Sequence, residues 1–80
     1  MEVTCQFALY PLGAAHLGPA IDAALAAVRD RGLAVEPGAM SSMVAGPLRE
    51  VFAALADAFE RAAEGDCVLV ATVSNACPVP

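Results

Sequence analysis

The chain has 80 residues, a net charge of −5, no lysine and four arginines (Arg29, Arg31, Arg49 and Arg61) that each stand near acidic residues. A basic stripe able to displace counterions from phosphates cannot be assembled from these, so nucleic-acid binding is excluded, and an anionic membrane surface is disfavoured on the same ground. Three cysteines, Cys5, Cys67 and Cys77, lack C-x-x-C spacing, and the apolar runs are too short to span a bilayer. These features predict a reduced cytoplasmic setting with free thiols and no metal site.

Residues Val3 to Tyr10 alternate, with Val3, Cys5, Phe7 and Leu9 on one face and Thr4, Gln6, Ala8 and Tyr10 on the other, which predicts a strand. Pro11-Leu12-Gly13 ends it. A helix is expected from about Gly18 to Arg31. Pro19 falls in its first turn, Leu17, Ile21, Ala24, Leu25 and Val28 form the apolar face, and Gly32 is the left-handed stop.

Leu33 to Glu36 reads as a short second strand and Met40 to Gly46 as a third, joined by the Pro37-Gly38 turn. Pro47 opens a second helix running to about Glu64, with Leu48, Val51, Phe52, Leu55, Phe59 and Ala62 as its buried stripe. Gly65 ends it. Cys67 to Ser74 alternates again as a fourth strand, before a tail of Cys77-Pro78-Val79-Pro80.

The order βαββαβ, with right-handed crossovers, predicts an α+β fold of ferredoxin-like topology occupying residues 1–80 as one domain. Its four-stranded antiparallel sheet has order 4-1-3-2, with both helices on one face. On the face without helices the pattern leaves Gln6, Ala8 and Tyr10 of the first strand and Val68, Val70, Thr72 and Ser74 of the last. The third strand has two workable registers, and the favoured one puts Ser42 and Val44 on this open face. Val, Ala, Tyr, Gln, Thr and Ser together are too apolar for plain solvent surface and too polar for a core, which suits a ligand site near a subunit contact.

Three segments, in order, carry a resemblance. Gln6-Phe7-Ala8-Leu9-Tyr10-Pro11-Leu12-Gly13, Met40-Ser41-Ser42-Met43-Val44-Ala45-Gly46 and Val73-Ser74-Asn75-Ala76-Cys77-Pro78 resemble the opening, third-strand and closing motifs of the YkoF-type family, which binds thiamine and its hydroxymethylpyrimidine moiety. The resemblance implies the βαββαβ fold, assembly into homodimers or homotetramers, and binding of the vitamin without turnover or cofactor. Larger members carry two such domains in tandem, so in this chain a site shared between domains would need a second subunit.

The ligand-binding candidates are Gln6, Tyr10, Ser41, Ser42, Thr72, Ser74 and Asn75. An aminopyrimidine has ring-nitrogen acceptors and an exocyclic amine donor; amide and hydroxyl side chains complement both, and a tyrosine ring offers a flat surface. A thiazolium cation suits the negative field and an aromatic face. Each residue also has a plainer reading: solvated strand surface for Gln6, end-of-strand packing for Tyr10, strand entry for Ser41 and Ser42, and a turn for Ser74-Asn75. Tyr10 and Ser42 are expected toward one end of the sheet and Ser74 and Asn75 toward the other, so either the ligand spans the face or one set is structural.

No enzyme is expected. His16 is the lone histidine and has no nucleophile with an orienting group around it. An acylphosphatase-like hydrolase would need an arginine in a phosphate-cradling loop after the first strand, and 11–19 has none. The alternatives to vitamin binding are an ACT-like regulatory module, which shares the topology and binds amino acids at subunit contacts, and an oligomeric interaction subunit without a ligand.

Overall fold

The computed structural model describes residues 1–13 and 18–76. Six elements run in chain order: β1 (Glu2–Pro11), α1 (Gly18–Asp30), β2 (Val35–Pro37), β3 (Ser42–Pro47), α2 (Leu48–Ala62) and β4 (Cys67–Ser74). The sheet order is β2-β3-β1-β4, equivalent to the expected 4-1-3-2, and all three pairings are antiparallel. β1 is central, between β3 and β4, so its alternation is the best defined in the chain.

Val3, Cys5, Phe7 and Leu9 of β1 are buried together with Val44, under Ala24, Leu25, Ala27 and Val28 of α1 and Val51, Ala54, Leu55, Ala58 and Ala62 of α2. The helices also pack on one another. Their buried residues are largely alanine, which lets backbones approach closely at little cost in side-chain entropy. Arg31 bonds Asp57 at 2.6 Å and Glu50 at 3.3 Å, and Arg61 bonds Asp30 at 2.8 Å, so three surface ion pairs link the α1 end to α2. Gly32 has φ of +79° just past α1, and Gly13 has φ of +75° past β1, the left-handed region that glycine enters without a Cβ clash.

Several expectations need correction. β2 begins at Val35 rather than Leu33 and includes Pro37, which pairs with Ser42. α2 begins at Leu48, with Pro47 as its N-cap, and its last helical residue is Ala62, short of Glu64. Phe52 and Phe59 are not in the buried stripe. The line Val51, Ala54, Leu55, Ala58, Ala62 fills the inward face, and the two rings fall one position aside, both exposed. Ile21 of α1 is exposed for a similar reason, since Ala24, Leu25 and Val28 carry that helix's contact. Leu17 lies outside the described residues.

Ser42 and Val44 face the helices, not the open side. β1 and β3 pair Phe7 with Ser42, Cys5 with Val44 and Gln6 with Met43. Residues paired across antiparallel strands share a face. Because Cys5 and Phe7 point inward, Ser42 and Val44 must too, and both are buried. The open face of β3 therefore carries Met43 and Ala45. On β4, Cys67, Leu69 and Val73 pack against the core, whereas Ala71, which the alternation of that strand puts on the same helix-facing side, is exposed, because an edge strand is only half covered.

Candidate functional site

The sheet register sets how close the candidates are. Gln6 stands opposite Met43 on β3 and opposite Thr72 on β4, so Met43, Gln6 and Thr72 form one row across the open face. The next row toward the end of β1 is Ala8 and Val70, and then Tyr10 and Val68. In the other direction Thr4 faces Ser74. Rows on one face are about 7 Å apart, so Ser74 is some 20 Å from Tyr10 along the strand. The two ends of the sheet are thus separate places, as the sequence predicts.

At the Tyr10 end lies a groove of about 250 Å³ lined by Phe7, Ala8, Leu9 and Tyr10 of β1, Ile21, Ala24 and Leu25 of α1, and 38–42. It exists because the β2–β3 hairpin stops short. Gly38 donates its N–H to the Ser41 carbonyl at 2.8 Å, closing the turn, and β3 pairing ends at Phe7–Ser42. Beyond that point β1 continues alone on this side, between the turn and α1.

Three candidates meet in this groove. Tyr10 contributes a half-exposed ring, and Ser41, the last residue of the turn, and the buried Ser42, the first of β3, line the groove beside it. Gln6 adjoins it: its Nε2 donates to Ser41 Oγ at 2.8 Å. The Gln6 side-chain carbonyl stays available as an acceptor. Thr72 is exposed one strand away from the groove, in the Gln6 row.

Ser74 and Asn75 are elsewhere and make local contacts. Ser74 Oγ accepts the Ala76 N–H at 3.1 Å, a hydroxyl turn that ends β4. Asn75 Nδ2 reaches Met1 Sδ at 3.8 Å, a weak contact. This is the turn role of the plainer reading.

Sequence reasoning missed the apolar half of the groove: Ile21, Leu25 and the exposed Met40. A signal existed for Ile21, the first large apolar side chain of α1, three and four residues ahead of the buried Ala24 and Leu25. Met40 is 87% exposed, and on a soluble surface such a flexible thioether is more at home beside an apolar ligand or partner.

A larger hollow of about 410 Å³ lies between the end of β1, the start of α1 and the end of α2 with the turn that follows it, with Arg61, Glu64 and Asp66 among its lining residues. Arg61 is already paired with Asp30, and none of the seven candidates lines it. Residues 14–17, His16 among them, and Cys77 lie outside those described. Among the described residues no group of three His, Cys, Asp or Glu side chains could hold a metal ion. No described helix is long and apolar enough to cross a membrane. Cys5 is fully buried and burial pushes its thiol up, the reverse of what a nucleophile needs.

The fold recurs in solved structures. A Streptococcus pneumoniae protein matches with a TM-score of 0.82 at 17% identity, over 92% of this chain and 86% of its own. A domain of unknown function from Bacillus cereus matches with a TM-score of 0.71 at 22% identity, over 91% of this chain and 74% of its own. A Thermotoga maritima protein, described as a candidate thiamine biosynthesis/salvage protein, matches with a TM-score of 0.74 at 25% identity, over 91% of this chain and 82% of its own. No curated protein matches the chain. The model of the YkoF-related family matches residues 2–80, and with the three ordered motifs and the βαββαβ sheet this chain belongs to the YkoF-related family.

Proposed function

We propose that this protein binds thiamine or its hydroxymethylpyrimidine moiety without turnover, as a carrier, buffer or sensor in vitamin B1 uptake or salvage. The observation that carries the reading is the convergence of Tyr10, Ser41 and Ser42 on one groove, with Gln6 fastened to Ser41 at its edge. The family and the thiamine-related description of the Thermotoga relative support the ligand class. In this reading Tyr10 covers the ring, and Ser41, Ser42 and Gln6 hydrogen-bond its edge. Thr72 meets whatever extends over the open face. Ser74 and Asn75 are turn residues, not ligand contacts. A groove of 250 Å³ is below the 300 Å³ or more of most small-molecule sites, so it receives the pyrimidine alone. The cationic thiazolium then lies outside, in the field of a chain with net charge −5.

The open face supports a second element of the proposal, self-association in the cytoplasm as a homodimer or homotetramer. Val68, Val70, Met43 and Tyr10 are all 40–53% exposed and adjoin one another across β4, β1 and β3. Such a patch is the usual mark of a contact between subunits.

Calorimetric titration with thiamine and with hydroxymethylpyrimidine tests the binding. Heat with either, together with a raised thermal midpoint, is the expected result. A midpoint raised by amino acids and not by these compounds would favour the ACT-like alternative. A chain that self-associates and gives no heat with any of them would favour the interaction subunit.

A further inference from the structure

The hydrogen-bond phase of β1 leaves one peptide unit unclaimed at the groove. Leu12 donates its N–H to the Asp66 carbonyl at 2.9 Å, and in the regular β1–β4 register this makes the even residues of β1 the ones bonded to β4. On the other side Leu48 donates to the Met1 carbonyl at 2.9 Å, so odd residues bond to β3. The two observations agree. Val3, Cys5 and Phe7 meet Gly46, Val44 and Ser42 in this way. Leu9 is next, and its counterpart would be Met40, but the chain has already turned away at Gly38–Ser41. The N–H and C=O of Leu9 thus point toward the groove that Leu9 lines, with no partner among the described residues. Pro11, the following odd residue, has no N–H at all.

We infer that the Leu9 main chain is the polar edge that reads the ligand, its N–H donating to a ring nitrogen and its C=O accepting from the adjacent exocyclic amine of a 4-aminopyrimidine. This rests on the binding reading above and adds the atoms and the selectivity. A single strand residue presents donor and acceptor side by side on one edge, which matches the acceptor–donor pair of that heterocycle. The gap argues against an added peptide strand. It is one residue long, bounded on one side by the hairpin turn and on the other by a proline, whereas strand addition draws on a row of such groups. Phe7, Ile21, Leu25 and Met40 supply apolar walls, and Tyr10 a flat one.

The test uses the full chain, 15N-labelled, titrated with 4-amino-5-hydroxymethyl-2-methylpyrimidine and with the same compound lacking the 4-amino group. Calorimetry is run in parallel. The expected result is that the Leu9 amide resonance moves strongly and saturates with the heat, and that the des-amino compound binds about tenfold more weakly or worse. A chain assembled by chemical ligation with the Leu9 N–H replaced by an ester oxygen keeps the buried side chain and should bind about five- to tenfold more weakly. Undiminished heat with a still Leu9 resonance, or equal affinity for the des-amino compound, would overturn the inference and leave the binding reading standing. No heat with either compound removes both, and a Leu9 shift produced only by an extended peptide would assign the edge to strand addition instead.

Discussion

Gln6 and Ser41, 35 positions apart in the chain, are joined by a 2.8 Å side-chain hydrogen bond across β1 and β3. Gln6 faces Met43 directly, so it reaches diagonally to the residue where the hairpin turn meets β3. The bond thereby holds the Ser41 hydroxyl at the groove mouth. Both groups are near solvent, so Gln6→Ala and Ser41→Ala should each change the unfolding free energy by less than about 1 kcal/mol. Each should weaken hydroxymethylpyrimidine binding about fivefold. The double variant should lose less than the product of the two, because the residues act as one unit. Urea denaturation and calorimetry on the three variants check this, and unchanged affinity in Gln6→Ala would remove Gln6 from the site.

The turn that opens the groove depends on Gly38. A Cβ there would come within 2.6 Å of the Ser41 carbonyl oxygen, a backbone atom that cannot swing aside. Gly38→Ala is expected to cost about 1–3 kcal/mol, the range for overpacking, and to weaken binding by displacing Ser41. Gly65→Ala is the control, since its Cβ would meet nothing within 4 Å. Denaturation midpoints of the two variants should separate clearly.

The parts of the fold visible in the sequence are those set by local periodicity. β1 alternates cleanly because it is central and covered on one side, and Gly13 and Gly32 mark turns that need positive φ. The errors arise where tertiary contact decides. The Ser42 register depends on how many residues the hairpin turn consumes, and Met40 to Ser42 offers two small polar side chains with no apolar cue to choose between them. Phe52 and Phe59 mislead because size suggests burial, whereas α2 lies so close to α1 that alanines fill the contact. Of the seven candidates, the residue types are legible in the chain. That Tyr10, Ser41 and Ser42 share a groove is not, because the groove is the place where one strand outruns its neighbour.

Self-association through the open face places Val70 near the middle of the contact. It stands opposite Ala8 on β1 and is 53% exposed in the single chain, so a charge there disturbs little of the core. Val70→Asp should leave the thermal midpoint of the isolated chain within a few degrees and shift the sedimenting species to a monomer, since burying an unpaired carboxylate at a contact costs several kcal/mol. Sedimentation equilibrium over a range of concentrations measures this. An unshifted oligomer would move the contact to another surface, such as the exposed Phe52 and Phe59 of α2.

Cys5 gives the chain a pH dependence of definite sign. Its side chain is fully buried between β1 and the helices, and desolvation raises its pKa above the ordinary 9.0. In the unfolded chain the thiol releases its proton near its ordinary value, while in the folded chain it keeps it. Above about pH 9 the folded state therefore binds more protons than the unfolded state, and stability falls as pH rises toward the folded pKa. Below about pH 8 both states hold the proton, and Cys5 adds no slope. Urea denaturation between pH 7 and 10 should show this alkaline loss in the parent and less of it in Cys5→Ala, with Tyr10 and Cys67 unchanged between the two chains. In the native protein at pH 8, alkylation followed by peptide mapping should find Cys5 modified far more slowly than the half-buried Cys67. Equal rates would mean that β1 opens readily, and the rigid edge on which the groove depends would be lost with it.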